Sequence, residues 1–239
     1  MKATLTAISQ YGGVFFIACC LFTGCILPSD VVKNKMQGLK TMRYLALGDS
    51  YTIGESVAEA ERWPVQLAAR LQATGVPLEQ PQIIARTGWT TDELMTAIER
   101  QNPQGPFDLV SLLIGVNNQY RGRNSAEYRK QFHILLQTAL TLAGGKPDRV
   151  IVLSIPDWGV TPFGRGNDRP KIATEIDQFN AINREETVQA GAHYVDITPI
   201  SRQAAGDATL IAEDGLHPAG KMYQLWVELV EPIAQAALK

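Results

Sequence analysis

The sequence predicts an α/β fold, a three-layer α/β/α sandwich built on a five-stranded parallel sheet, and two observations carry that expectation. Five short, nearly continuous apolar runs recur along most of the chain, and each is followed by a longer stretch with apolar residues at helical spacing. Such runs belong to strands covered on both faces, because a half-exposed sheet alternates polar and apolar positions. The bulk properties agree: 239 residues, 45% apolar, with a formal charge of −2, suit one globular domain with a full-sized core. The near-neutral balance gives no electrostatic case for nucleic-acid binding.

The elements follow in order. Arg43–Leu47 is the first expected strand, and Pro64–Gln72 the first long helix, with proline well placed in its first turn. Gln82–Ala85 and Thr91–Arg100 form the next strand and helix. Leu109–Ile114 is followed by Ala126–Ala143, which Gly144-Gly145 closes. Val150–Ile155, Ile172–Gln189, Tyr194–Ile197 and Met222–Ala237 complete the alternation. Five parallel strands joined by right-handed crossovers give a flavodoxin-like arrangement. In such a sheet ligands bind beyond the carboxyl ends of the strands.

Polar motifs stand at those ends. Gly48-Asp49-Ser50-Tyr51-Thr52 follows the first strand, Arg86-Thr87-Gly88-Trp89-Thr90-Thr91 the second, and Gly115-Val116-Asn117-Asn118 the third. Near the carboxyl terminus lies Asp214-Gly215-Leu216-His217-Pro218. A serine hydroxyl is a poor nucleophile near neutral pH. It needs an imidazole to take its proton and a third group to hold the imidazole's tautomer. Ser50, His217 and Asp214 have the chemistry for these roles. A glycine N–H at Gly88 and the amide of Asn117 suit the stabilisation of an oxyanion. Each segment also has an ordinary reading: a cap or turn for Ser50 and Asn117, a positive-φ turn for Gly88, an Asp-Gly turn for Asp214 and a loop histidine for His217. A metal site competes for Asp214 and His217, but His133 and His193 lack ligand-like spacing with them, so no metal is expected.

In that order, the four segments resemble the four blocks of the SGNH, or GDSL-type, hydrolases. The resemblance implies Ser50 as nucleophile, His217 as base and Asp214 as its partner. It also implies an oxyanion hole from the N–H groups of Ser50 and Gly88 and the side chain of Asn117, on the same three-layer fold. Tyr51 stands where the family name has Leu, and Asn118 where Asp is common. The family includes lysophospholipases, thioesterases, arylesterases and carbohydrate O-acetylesterases. The expected function is therefore carboxylic-ester hydrolysis through an acyl-enzyme, lysophospholipase- or carboxylesterase-like, with glycan O-deacetylation as the alternative and no cofactor. A non-catalytic ligand-binding protein on a flavodoxin-like fold is the reading of another class. The segment from Gly48 to Gly54 has neither Walker spacing nor a glycine-rich dinucleotide fingerprint.

Expected substrate walls are Trp89, Trp158 and Phe163, with Arg165 placed to meet an anionic group. The last three lie in the long loop Pro156–Pro170, past the fourth strand. Packing is the alternative role for Trp89 and Trp158. Arg121 and Arg123 read as ordinary exposed charges, and Trp226 as core.

The amino terminus has its own pattern. Val14 to Leu27 is an apolar run of about 14 residues, short of the roughly 20 that cross a bilayer. With Lys2 ahead of it, the run suits a signal-peptide core. Leu21-Phe22-Thr23-Gly24-Cys25 resembles a bacterial lipobox, with Phe22 as a departure. Residues 1–24 are thus expected to be a signal peptide, 25–41 a tether starting at a lipidated Cys25, and 42–239 the hydrolase domain. A plain secretory signal is the alternative. All three cysteines, Cys19, Cys20 and Cys25, lie in this segment. The expected setting is the bacterial cell envelope, with a membrane held through the lipid and a small-molecule, lipid or glycan ester as substrate.

Overall fold

The structure, a computed structural model, describes residues 41–239. The expected signal peptide, the lipidated Cys25 and nearly all of the tether lie outside the described residues. Among the described residues no helix is long and apolar enough to cross a membrane.

Five strands form one parallel sheet: β1 (Tyr44–Gly48), β2 (Gln82–Ala85), β3 (Leu109–Leu113), β4 (Val150–Leu153) and β5 (His193–Val195), in the order β2-β1-β3-β4-β5. This is the flavodoxin-like order, with its topological switch between β1 and β3. Every residue of β1, β3 and β4 is buried, which is why those runs carry no polar alternation. The main helices are α2 (Trp63–Ala73), α3 (Thr91–Gln101), α5 (Ser125–Leu142), α6 (Arg169–Gln189) and α8 (Gly220–Ala237). Right-handed crossovers carry α2 over one face of the sheet, and α3, α5 and α6 over the other. The returning α8 packs on α2, while α5 packs on both α3 and α6.

Three short helices were not expected: α1 (Ser50–Ile53), α4 (Val116–Tyr120) and α7 (Thr198–Arg202). A helix of four or five residues spans little more than one turn, so it shows no apolar period to read. Two expected strands stop early, at Leu153 rather than Ile155 and at Val195 rather than Ile197. Side chains take over the backbone donors there. Asn180 Oδ1 accepts from Ile155 N at 2.8 Å, and Ser154 Oγ accepts from Ile197 N at 2.8 Å and Thr198 N at 3.0 Å.

The close of β3 depends on Gly115. Its φ is 132°, and a Cβ there would lie 2.3 Å from the Tyr128 hydroxyl oxygen. That hydroxyl donates to Ile114 O at 3.0 Å and lies 2.5 Å from Asn183 Oδ1, so α5 and α6 both press on the point where the chain turns into α4.

Candidate active site

Sheet register brings the first three polar segments together. Gly48, the last residue of β1, is paired with Ala85 of β2 on one side and Leu113 of β3 on the other. Three neighbouring strands therefore release their chains at one level, and Ser50, Gly88 and Asn117 all line the cavity beyond them. Ser50 opens α1, capped by Asp49, whose Oδ1 accepts from Tyr51 N at 3.0 Å. First-turn N–H groups have no partner within a helix, so Ser50 N–H is available to a ligand. The Gly88 peptide is held from behind by Arg121, whose Nη2 donates to Gly88 O at 2.6 Å.

His217 arrives from the far end of the chain. An antiparallel bridge between Ile211 and Pro218 and a 2.8 Å bond from Ala212 N to His217 O close the Asp214–His217 turn. Gly215 takes the left-handed conformation within it, φ 74°. Its carbonyl accepts from Phe163 N at 2.9 Å, which joins the turn to the long loop after β4. His217 is buried, packs on Tyr51 with ring centroids 5.3 Å apart, and places Nδ1 2.6 Å from Asp214 Oδ2. Burial alone would raise the Asp214 carboxyl. Donors from Ser56, His217 and the backbone N–H groups of Leu216 and His217 outweigh it and hold that carboxyl well below the usual carboxylate range. Asp214 is thus an anion at neutral pH, suited to keeping the Nδ1 proton on the imidazole and leaving Nε2 free to accept one. Ser50 and His217 line one cavity, with no hydrogen bond between their side chains. Such contacts often tighten only when substrate binds.

The cavity holds about 140 Å³. Beyond the polar groups its wall is apolar: Val116, Tyr120, Trp158, Phe163 and Leu216. Trp158 is almost fully buried and donates from Nε1 to Gln119 Oε1 at 2.8 Å, so it both packs and lines. Tyr120 and Phe163 stand at the rim, 55% and 45% exposed, and form an aromatic cluster with Trp158 at centroid distances of 5.2 to 6.1 Å. The long loop is rigidly held. Arg169 donates to Gly159 O at 2.6 Å and Val160 O at 2.9 Å, and Asp157 pairs with Arg202 at 2.9 Å.

Together these features make a serine–histidine–carboxylate constellation beside prospective oxyanion donors at a flavodoxin-type switch point. The sequence model of the GDSL-like lipase/acylhydrolase family matches residues 46–225. The chain belongs to that family. It is a GDSL-type hydrolase acting on ester bonds. Solved structures share its fold at low sequence identity. TesA is 19% identical with a TM-score of 0.64, and the match covers 82% of this chain and 99% of that one. A lipase/acylhydrolase from Enterococcus faecalis is 24% identical with a TM-score of 0.61, covering 83% and 98%. Axe2, an acetylxylan esterase from Geobacillus stearothermophilus, is 18% identical with a TM-score of 0.60, covering 82% and 94%. No curated protein sequence matches the chain.

Two residues of this GDSL hydrolase expected to meet substrate, Trp89 as a wall and Arg165 as a cation, lie elsewhere. Trp89 lines a separate groove with Arg86, Glu93 and Arg100, and only its carbonyl turns to the site, accepting from Asn117 Nδ2 at 3.0 Å. Arg165 borders a depression with Arg169 and Ala204. The reason is the second 3-10 turn of the loop, Pro162–Gly164, which places Phe163 in the cavity and carries the chain beyond it before Arg165. Arg121 is exposed as expected, and it also clamps the Gly88 peptide and meets Glu93 at 3.4 Å. Arg123 meets Asp92 at 3.8 Å, and Trp226 is fully buried as expected. Tyr120 was missed: it sits in an unforeseen helix, and its sequence neighbours say nothing about its facing Trp158. Among the described residues no cluster of His, Cys, Asp and Glu could hold a metal ion.

Proposed function

We propose that this protein hydrolyses carboxylic esters with apolar acyl groups, through an acyl-enzyme on Ser50. The supporting observation is that Ser50, Asn117 and His217 share one small cavity whose other wall is aromatic and aliphatic. In this reading His217 Nε2 takes the Ser50 proton as Oγ attacks the ester carbonyl. The oxyanion that forms lies between Ser50 N–H, Gly88 N–H and the Asn117 amide. His217 then protonates the departing alcohol, and the same imidazole activates the water that releases the acid. Val116, Trp158 and Leu216 would enclose the first carbons of the acyl group. A longer chain would run out along Phe163 and Tyr120, as lysophospholipase-like activity requires.

One observation favours a second reading. A cavity of about 140 Å³ also suits an acetyl group, and the exposed faces of Tyr120 and Phe163 would then stack on a sugar. Glycan O-deacetylation follows from that arrangement. The structural likeness to an acetylxylan esterase is one of fold and is compatible with it.

Nitrophenyl acetate, butyrate, octanoate and palmitate distinguish the two. Under the apolar-acyl reading kcat/KM rises from acetate to butyrate or octanoate, and Phe163→Ala lowers it for octanoate by roughly tenfold while sparing acetate, the loss expected from removing about 1–3 kcal/mol of apolar contact. A maximum at acetate, unmoved by Phe163→Ala, selects deacetylation.

We also propose that the enzyme is anchored in the bacterial cell envelope through a lipid on Cys25, on the strength of the lipobox-like Leu21–Cys25 segment. Radiolabelled palmitate is expected to enter the wild-type protein in cells and not Cys25→Ser. Equal labelling of the two would remove Cys25 from the role.

A further inference from the structure

We infer that Ser56 is a positioning residue of the Asp214–His217 pair, an assignment that rests on the esterase reading above. Asp214 receives four hydrogen bonds. Oδ1 accepts from the backbone N–H groups of Leu216 and His217, both at 2.9 Å. Oδ2 accepts from His217 Nδ1 at 2.6 Å and from the Ser56 hydroxyl at 2.7 Å. Three of these donors belong to Asp214's own turn, so they move with it and give the carboxylate no reference to the rest of the site. Among the described residues Ser56 is the one donor from outside. It lies in the segment that begins at Ser50 and continues through α1. The bond therefore ties the carboxylate that orients the base to the stretch of chain that carries the nucleophile.

The backbone supplies a second, independent observation. Ser56 has φ 65°, one of two non-glycine residues with positive φ among the described residues. The left-handed conformation is unfavourable for a residue with a Cβ and easy for glycine. What the serine side chain contributes there is the bond to Asp214. Asp214 is partly open, its side chain 29% exposed, so the hydroxyl does not act by excluding water. Its contribution is geometric. It constrains the Oδ2 position against which the imidazole is aligned, and catalysis is steeply sensitive to such alignment.

Ser56→Gly separates this role from a structural one, because glycine removes the hydroxyl and accepts the left-handed backbone. The relief offsets the extra freedom given to the unfolded chain, so the melting temperature should hold or rise. With a nitrophenyl ester as probe, kcat should fall about tenfold with KM unchanged, and Ser56→Gly should cause no further loss in an Asp214→Asn background. Ser56→Asn, which tolerates the left-handed conformation and carries an N–H donor, should recover part of the rate. A wild-type kcat in Ser56→Gly overturns the assignment, as does a loss that is fully additive with Asp214→Asn. Proton NMR gives a readout independent of turnover. The His217 Nδ1–H resonance, expected far downfield from the 2.6 Å bond to Asp214, should shift in Ser56→Gly, and an unmoved resonance overturns the assignment. A shifted resonance in a protein without Ser50-dependent ester turnover would confirm the contact and sink the esterase reading instead.

Discussion

Replacing Ser50 by alanine is expected to lower kcat on any accepted ester by about 10⁴-fold or more while leaving the melting temperature near wild type. The side chain is buried, yet its hydroxyl makes no hydrogen bond that the fold relies on. The cap of α1 comes from Asp49, so the helix survives the substitution. His217→Ala should be comparably severe, and the double variant little worse than either single one, because nucleophile and base act as a unit. Asp214→Asn should cost less than His217→Ala, since it perturbs tautomer and orientation and leaves the base in place. Steady-state kinetics on purified variants checks all four. Wild-type-like turnover by Ser50→Ala would remove Ser50 from the mechanism. Additive losses would mean that Ser50 and His217 act in separate steps.

Asn117→Ala should lower kcat by roughly 10²–10³-fold with little change in KM, the cost of losing one oxyanion donor. The amide is aimed from two sides. Trp89 O accepts from Nδ2 at 3.0 Å, and Asp49 Oδ2 stands 3.4 Å from the same nitrogen. The second contact is at the long limit of hydrogen bonding, so that proton is the one an oxyanion would draw away. Asp49 is fully buried, and burial raises its carboxyl to about 7, partly offset by the N–H of Tyr51 and the Asn117 amide. It accepts from two donors, one at the start of α1 and one at the start of α4, and so couples the helix that begins at Ser50 to the Asn117 amide. A loss confined to KM would recast Asn117 as a group that binds substrate in its ground state.

The parts legible in the sequence share one property: each depends on neighbours along the chain. β1, β3 and β4 were readable because strands buried on both faces carry no polar alternation, and α3, α5 and α8 because they are long enough to repeat an apolar period. Ser50, Gly88 and Asn117 were legible as a group because each follows a strand directly, and parallel strands in register end together. The rest depended on contacts across the chain. Ser56 reaches Asp214 and Arg121 reaches Gly88 over separations of 158 and 33 residues, with no local signal at either end. Arg165 is expected in the site on the strength of its loop, but the 3-10 turn Pro162–Gly164 holds Phe163 in the cavity and ends just before Arg165, which faces a different surface.

By itself the sequence determined the fold class, the family and which residues have the chemistry of an ester hydrolase. Hydrophobic period and short motifs encode those locally, within a turn or a strand. Tertiary structure alone decided that Tyr120 rather than Trp89 borders the cavity beside Ser50, that the exposed Arg121 also braces a peptide, and that Ser56 donates to Asp214. Each of those outcomes turns on where a side chain points after the sheet twists and the crossovers pack, and no local spacing carries that direction.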